Sequence, residues 1–268
     1  MTQINDKLRI PKNIRKVKNI VGVFSAKGGV GKSVISLQIA TALKEKGLRV
    51  GLVDTDIYGP SIPTMLDVEG YVPKSIKVDG VSKIDPIESY GIKLMSIGFF
   101  TKLDEAVVWR GPMASKALKQ MIFDTNWGEL DFLFLDLPPG TGDIHLSLVQ
   151  SIPISGAVII STPQNVALAD ARRGIKMFQQ ESISVPILGL IENMSSFVCS
   201  GCGMTHHPFS NGSVKKEAEQ LNTKFLGELP LDLDTRIASD SGVPIVASQP
   251  QNTTALAFVQ LAKTIIKH

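Results

Sequence analysis

The segment SAKGGVGKS, residues 25–33, constrains the fold more than any other stretch of this 268-residue chain. The apolar, β-branched run IVGVFSA leads into it, and a run with helical spacing follows it. Glycines permit a backbone in which several N–H groups point to one anion, and the N-terminus of a helix adds positive potential. This context predicts a phosphate-binding loop between a strand and a helix, rather than a purely structural glycine turn.

The residues of this loop have separate expected tasks. Eight consecutive residues are predicted to bind the nucleotide: Ala26, Lys27, Gly28, Gly29, Val30, Gly31, Lys32 and Ser33. The ammonium group of Lys32 should reach the β- and γ-phosphates of ATP, and the hydroxyl group of Ser33 should bind Mg2+.

Lys27 is an added cation beside Ala26, which stands where a phosphate loop usually has its first glycine. Because Lys32 already serves the nucleotide within the same chain, Lys27 could contact the nucleotide of a partner chain, as an arginine finger supplied in trans does. The second lysine therefore predicts a homodimer.

Two further segments place carboxylates after apolar runs. Asp136, in FLFLDLPPGTGD, is expected to hold Mg2+ opposite Ser33, and residues 138–143 are expected to sense the γ-phosphate, unless they form a plain β–α turn. Asp54 and Asp56, in VDTDIYGPS, should project to one side of a strand because strand side chains alternate with period two. One could bind Mg2+ through water while the other orients the attacking water, although a solvated pair that caps a helix also matches this pattern.

Apolar runs alternate with helical patterns along the chain, which is typical of a parallel sheet covered by crossover helices. Six buried strands are predicted, at residues 20–26, 49–56, 130–138, 156–163, 186–194 and 224–231. One helix is predicted directly after the phosphate loop, with Gly47 as its C-cap. Three more are predicted at residues 165–180, 213–222 and 252–267. The predicted fold class is α/β, a mostly parallel twisted sheet with helices on both faces, as in P-loop NTPases.

No linker divides the chain, so we expect a basic N-terminal arm at residues 1–19 and a single ATPase domain at residues 20–268. The arm could touch phosphates or could be a solvated lead-in to the first strand. Its cations are Lys7, Arg9, Lys12, Arg15, Lys16 and Lys18, against Asp6 as the one carboxylate. Residues 60–110 are interpreted as an irregular insertion on the main sheet, and the apolar C-terminal helix should dock on the body of the domain.

The composition excludes several classes of protein. No stretch approaches the roughly 18 consecutive apolar residues of a membrane span, and the N-terminus MTQINDKLRI has no apolar signal region. A net charge of +3 is too small to indicate a nucleic-acid or membrane surface by itself. We therefore expect a cytoplasmic protein that binds neither nucleic acid nor membrane.

The motifs taken together resemble one family. AKGGVGKS, DTDIYGPS, DLPPGTGD, STPQ, ENMS, a CxxC pair and ELPLDLDTRIASDSGVPIV look like the Mrp/ApbC-type iron–sulfur cluster carriers, from about residue 18 to the end. These carriers belong to the deviant Walker A ATPases, with MinD, ParA and the nitrogenase iron protein. Many members have an additional N-terminal domain, and scaffold-type relatives have an N-terminal cysteine cluster. No cysteine precedes Cys199 in this sequence, which favours a carrier.

The resemblance implies a role for each matching residue. Lys27 would cross the dimer interface to the partner's phosphates, and Asp56 would help to position the hydrolytic water, with Asp54 and Asp136 around Mg2+. The catalytic residues would be Lys27, Lys32 and Asp56. Asn193 would contact adenine, with Pro230 and Asp232 lining the same pocket, whereas from the residues alone an asparagine at a strand end is more often a turn former.

Cys199 and Cys202 are the two cysteines of the chain and lie in FVCSGCGMTHHPF. Two thiolates are an incomplete metal site, because cubane iron–sulfur clusters and structural zinc usually take four ligands. A two-fold symmetric dimer would supply the second pair, in agreement with the partner expected from Lys27. The expected occupant is an iron–sulfur cluster, of 4Fe–4S type, that bridges two subunits. The alternatives are zinc between the subunits, a site completed by His206 and His207, and a CxxC redox switch.

The expected function is that of an ATP-binding, slowly hydrolysing homodimer that transfers an iron–sulfur cluster to apoproteins. A positioning ATPase like MinD or ParA, acting on membrane or DNA, would share the nucleotide machinery but would have no use for a CxxC pair. A small-molecule ligase or kinase like dethiobiotin synthetase would need a substrate pocket beside the γ-phosphate.

Overall fold

Strands and helices alternate along residues 14–100 and 111–267, the part of the chain that the computed structural model describes. The strands are β1 (Val17–Phe24), β2 (Val50–Asp54), β3 (Ser75–Val78), β4 (Val81–Ile84), β5 (Ile87–Ser89), β6 (Ile92–Ser96), β7 (Leu130–Asp136), β8 (Gly156–Ser161), β9 (Ile187–Asn193), β10 (Phe197–Val198), β11 (Thr205–His206) and β12 (Phe225–Leu229). The helices are α1 (Lys32–Glu45), α2 (Ile62–Met65), α3 (Gly111–Phe123), α4 (Asp143–Ser151), α5 (Asn165–Phe178), α6 (Ser213–Gln220), α7 (Leu233–Asp240), α8 (Ile245–Ser248) and α9 (Thr253–Ile266).

Eight strands form one sheet in the order β12-β9-β8-β1-β7-β2-β6-β5. Every neighbouring pair is parallel except β5 and β6 at one edge. The predicted fold class is therefore confirmed. Each of the six predicted strands is present, and each ends one or two residues earlier than predicted because the predicted runs included the first residues of the following loops.

Helices cover both faces of this sheet because its central strands alternate between two apolar cores. In β1, Val21 and Val23 face the core that contains α1 and α9, while Ile20 and Phe24 face the core that contains α3, α4, α5 and α6. The C-terminal helix docks as predicted, with Phe258 and Leu261 buried in the first core. None of the helices in the described ranges is long and apolar enough to cross a bilayer.

For residues 60–100, the structure corrects the interpretation of residues 60–110 as an irregular insertion, while residues 101–110 lie outside the described residues. β6 pairs with β2 in parallel, residue for residue from Val50 beside Ile92 to Asp54 beside Ser96, so it is a strand of the main sheet. An antiparallel hairpin, β3–β4, is the part that stands apart. Five helices, α2, α3, α4, α7 and α8, were not predicted from the sequence, and all of them except α3 have nine residues or fewer.

The N-terminal arm is described only from residue 14 onward, so Lys7, Arg9 and Lys12 lie outside the described residues. β1 begins at Val17, which places residues 17–19 in the sheet rather than in the arm. Lys18 forms an ion pair with Asp131 at 2.8 Å. Residues 17–19 are therefore held in the sheet by backbone pairing, and Lys18 also by its side chain.

Candidate functional site

Parallel strands bring most of the predicted site residues to one edge of the sheet. The carboxyl ends of β1, β2, β7, β9 and β12 lie at the same edge because these strands run in the same direction. Asp136 is level with Val23 of β1 on one side and with Asp54 of β2 on the other. In open α/β sheets this is the edge where ligands bind.

The phosphate loop connects β1 to α1 through two glycines in the left-handed region. Gly29 and Gly31 have φ angles of 79° and 82°, which residues with a Cβ atom adopt at a cost. The N–H groups of Gly28, Gly29 and Gly31 donate to no other residue of the described chain. Helix α1 has no side-chain cap at its N-terminus. These free donors and the helix dipole suit a phosphate group.

Lys27 projects from this loop into solvent. Its carbonyl oxygen accepts a hydrogen bond from the Ser25 hydroxyl at 2.9 Å, but none of the ion pairs found between described residues involves its ammonium group. Within its own chain, Lys27 is therefore an exposed cation. Its predicted contact with a partner's nucleotide stays a prediction.

Asp136 is the centre of a buried polar network that contains three of the predicted residues. Its Oδ2 atom accepts from Lys32 Nζ and from the Ser33 hydroxyl, each at 2.6 Å, and its Oδ1 atom accepts from the Ser36 hydroxyl at 2.7 Å. The Thr55 hydroxyl donates to the Asp136 backbone carbonyl at 2.7 Å. Hard oxygen donors such as Ser33 Oγ and Asp136 Oδ2 are those that Mg2+ prefers, so these two residues fit the expected ion.

Asp54 is completely buried beside this network. Its Oδ2 atom accepts from the Ile62 N–H at 3.1 Å and the Ser96 hydroxyl at 3.2 Å, and its Oδ1 atom accepts from the Asp56 N–H at 3.2 Å. Burial, and then the negative charge of Asp136, raise the pKa of Asp54 to about 7. The carboxyl group therefore changes protonation near neutral pH. A nearby cation would favour its ionised form.

Asp56 does not lie in β2, which ends at Asp54. The prediction that both carboxylates project to one side of a strand is therefore wrong, because period-two alternation holds only within the strand. The alternative of a solvated pair is wrong for Asp54, which is buried. Asp56 is half-exposed and accepts from the Tyr58 N–H at 3.3 Å. Its role in orienting water stays a prediction.

Asp56 lines a cavity of about 580 Å3 between the loop after β2 and the residues that lead into α4. His145, on the cavity wall, is 2% exposed, and its Nδ1 atom lies 3.4 Å from the Pro138 carbonyl. Burial lowers the pKa of His145 to about 4, so the ring is neutral at physiological pH. Its Nε2 atom has no hydrogen-bond partner among the described residues.

A second cavity, of about 460 Å3, lies beside Gly31. It is lined by the three residues predicted to surround adenine, Asn193, Pro230 and Asp232. Asn193 Nδ2 donates to the Val30 carbonyl of the phosphate loop at 2.8 Å. Asp232 caps helix α7 by accepting from the Thr235 N–H at 2.9 Å. Met65 and Phe258 add apolar walls that the sequence analysis did not identify. An apolar cavity with a few fixed polar groups beside a phosphate loop suits a nucleoside.

Cys199 and Cys202 lie in a hairpin formed by β10 and β11. The Cys199 N–H donates to the Met204 carbonyl and the Gly203 N–H donates to the Cys199 carbonyl, which closes a tight turn around the pair. Hydrogen bonds from the Cys202 and Gly201 N–H groups, and then from the Cys202 thiol, lower the pKa of Cys199. The thiolate is the form that binds metal.

The cysteine pair has no further ligand within the described part of its own chain. Both thiols are free, and no cluster of three or more Cys, His, Asp or Glu side chains that could hold a metal is found in residues 14–100 and 111–267. His207 instead has its Nδ1 atom 2.8 Å from the Ser195 carbonyl. The two thiols therefore offer half of a four-ligand site.

Several residues of the site were not identified from the sequence. Ser36 and Ser96 donate to the two buried carboxylates, and Thr55 donates to the backbone carbonyl of Asp136. Ser36 lies one helical turn after Lys32, a spacing from which it could have been found. Ser96 could not have been found in this way, because only the pairing of β6 with β2 brings it beside Asp54.

Comparison with known proteins identifies relatives over nearly the whole chain. A family model described as "ParA: NUBPL iron-transfer P-loop NTPase" matches residues 16–266. An iron–sulfur cluster carrier protein of Escherichia coli K12 is 50% identical over 252 residues, which are 94% of this chain and 67% of that protein. The iron–sulfur cluster transfer protein NUBPL of Dictyostelium discoideum is 46% identical, over 95% of this chain and 77% of that protein.

Solved structures agree with the fold. A nucleotide-binding protein of Archaeoglobus fulgidus, solved in complex with ADP, superposes with a TM-score of 0.73 at 35% identity, over 86% of this chain and 88% of that chain. MinD of Aquifex aeolicus superposes with a TM-score of 0.66 at 20% identity, over 93% of this chain and 97% of that chain. At that identity, the MinD structure supports only the shared fold.

Proposed function

The chain belongs to the ParA-type family of NUBPL iron-transfer P-loop NTPases, and from this premise we propose that it is a nucleotide-controlled carrier of an iron–sulfur cluster. In this proposal it is a cytoplasmic homodimer that binds ATP with Mg2+ and hydrolyses ATP slowly. The dimer holds a 4Fe–4S cluster between two CxxC pairs and delivers it to apoproteins.

One observation carries the proposal: a short segment, residues 193–197, joins the nucleotide cavity to the cysteine hairpin and is hydrogen-bonded to the end of β12. Asn193 is bonded to the phosphate loop through Val30, and the hairpin begins four residues later at Phe197. Between them, the Ser195 N–H donates to the Leu229 carbonyl at 3.0 Å, and the Ser196 carbonyl accepts from the Leu231 N–H at 2.7 Å. We propose that a shift of the loop that disturbs Asn193 reaches the hairpin through this segment.

The residues of this chain have distinct tasks in binding and hydrolysis. The loop N–H groups and Lys32 hold the phosphates. Ser33, Asp136 and Asp54 would hold Mg2+, which would supply positive charge against the phosphate oxygens. Asp56 orients the attacking water. Lys27 of each subunit reaches the phosphates of the other, where its exposed ammonium group would meet an anion. ATP can change the populations of two dimer arrangements only to the extent that it binds one of them more tightly than the other.

The cluster is the cargo, and two subunits are needed to hold it. Each hairpin supplies two thiolates, and a two-fold axis would bring the second pair to the same centre. The lowered pKa of Cys199 favours metal binding, and the exposure of Cys202 leaves the cluster accessible to an acceptor. An exposed cluster shared by two chains is easier to release than one enclosed in a single core.

Anaerobic reconstitution with iron and sulfide tests this function, read by visible absorbance, Mössbauer spectra and the oligomeric state of the loaded protein. We expect a dimer with one 4Fe–4S cluster that activates a ferredoxin stripped of its own cluster. Cys199→Ala and Cys202→Ala should not load, whereas Ser200→Ala, between the two cysteines, should load normally. A loaded monomer, a colourless dimer with bound zinc, or nucleotide-dependent binding to vesicles or DNA without a cluster would each contradict the proposal.

A further inference from the structure

We propose that Ser36 is a positioning residue for the magnesium-dependent step: its hydroxyl group anchors Asp136 so that one carboxylate oxygen stays directed at the phosphate loop. The inference rests on the nucleotide function proposed above and concerns a residue outside the phosphate loop. Ser36 lies on the buried side of α1, one turn after Lys32, and is 0% exposed.

The contacts of Ser36 indicate which acceptor it serves. Its Oγ atom lies 2.7 Å from Asp136 Oδ1 and 3.0 Å from the Lys32 carbonyl oxygen. A hydroxyl group has one hydrogen, and both the shorter distance and the negative charge of the acceptor favour donation to Asp136. The two oxygens of Asp136 therefore have different partners: Oδ1 faces Ser36, and Oδ2 faces Lys32 and Ser33.

Ser36 differs from the other two donors because it has no task at the nucleotide. If Lys32 bonds to the phosphates and Ser33 binds Mg2+, Asp136 would lose both partners of Oδ2. Ser36 is too deeply buried to contact a ligand, so its bond to Oδ1 persists. It then opposes rotation of the carboxylate, because Oδ1 stays bonded to a hydroxyl group that is fixed on the buried side of α1.

The chain offers a matched control on the same helix. Thr41 is also 0% exposed, and its hydroxyl donates to the Leu37 carbonyl at 2.9 Å, one turn back, as Ser36 can donate to Lys32. Thr41 makes no hydrogen bond with Asp136. Ser36→Ala and Thr41→Val each delete one buried hydroxyl group from α1, and only the first removes a donor from the carboxylate.

The experiment measures binding of a fluorescent ATP analogue and ATP hydrolysis as functions of Mg2+ concentration, with thermal melting to verify folding. For Ser36→Ala we expect the half-saturating Mg2+ concentration to rise about tenfold and kcat to fall by a similar factor, as for the loss of a charge-assisted hydrogen bond. Binding of the analogue without Mg2+ should be unchanged. Thr41→Val should stay within about twofold of the wild type, because its hydroxyl is bonded only to the helix backbone. Ser36→Cys, which keeps a weak donor, should fall between the two.

Equal Mg2+ dependence in Ser36→Ala and Thr41→Val would overturn the proposal. So would an equal loss of Mg2+-free binding and Mg2+-dependent binding in the Ser36 variants, since that result indicates a general packing defect. Failure of the carrier function looks different: a wild-type protein that binds Mg2+ and ATP but loads no cluster would contradict the proposed function and leave the role of Ser36 intact.

Discussion

Replacing Gly31 with alanine should destabilise the protein more than the same replacement at Gly29. Both glycines lie in the phosphate loop with nearly the same left-handed φ, 82° and 79°. A Cβ atom at Gly29 would meet no described residue within 4 Å, whereas one at Gly31 would lie well inside van der Waals contact with Asn193 Nδ2. The two variants therefore share a backbone cost and differ only in the clash.

The magnitude follows from these two contributions. An alanine in the left-handed region costs about 1–2 kcal/mol of folding free energy at either position. At Gly31 the Asn193 amide must also rotate away and lose its 2.8 Å bond to the Val30 carbonyl, which costs a further ~0.5–1.5 kcal/mol. We therefore expect the free energy of unfolding of Gly31→Ala to be ~0.5–1.5 kcal/mol lower than that of Gly29→Ala.

Urea denaturation of the nucleotide-free protein measures this difference, which at ~3 kcal/mol per M is a midpoint shift of about 0.2–0.5 M. The cause is tested by repeating the pair with Asn193→Ala, because Asn193 is the one described residue that a Cβ at Gly31 would contact. In that background the two glycine variants should have the same stability. Equal midpoints in the wild-type background, or a difference that survives Asn193→Ala, would refute the reasoning.

Three other predictions concern the charged groups and thiols. Cys199→Ala or Cys202→Ala should abolish the iron–sulfur absorbance while ATP hydrolysis stays measurable, and a variant that keeps its full colour would contradict the bridging site. Lys27→Ala should lower the rate of hydrolysis far more than it weakens binding of a fluorescent nucleotide; unchanged turnover would mean that no lysine is needed in trans. The folded-state pKa of Asp54 is raised from 3.8 to about 7, so its contribution to stability is present below pH 4 and is lost as pH rises to 7. Between pH 5 and pH 8 the wild-type urea midpoint should therefore fall more steeply than that of Asp54→Asn, and parallel slopes would exclude Asp54 as the titrating group.

The fold class and the family followed from the sequence because both depend on local patterns. Buried parallel strands are continuous apolar runs, and six of them were located within three residues at either end. The phosphate loop was equally local, since a strand, glycines and the start of a helix must be consecutive to bind a phosphate group. Strand β6 was placed in an insertion because its short run, IKLMS, differs little from the edge strands around it, and only pairing with β2 identifies it.

The different environments of Asp54 and Asp56 could not be predicted from the local sequence. Two carboxylates two residues apart look equivalent in sequence, but the strand ends between them. Asp54 is therefore buried beside Asp136, whereas Asp56 lines the cavity between the loop after β2 and the residues that lead into α4. The position of the last strand residue depends on the neighbouring strands, which the sequence of one segment does not contain.

The sequence by itself determined the chemical groups of this protein: a phosphate loop with a second lysine, three acidic residues and one pair of cysteines. Tertiary structure alone decided which of them share an environment. It set Ser36 and Ser96 against the buried carboxylates, and it joined Asn193 to the phosphate loop four residues before the cysteine hairpin. The reason is physical: a motif is defined by neighbours along the chain, whereas burial and hydrogen bonding depend on neighbours in space, which the order of the strands in the sheet creates.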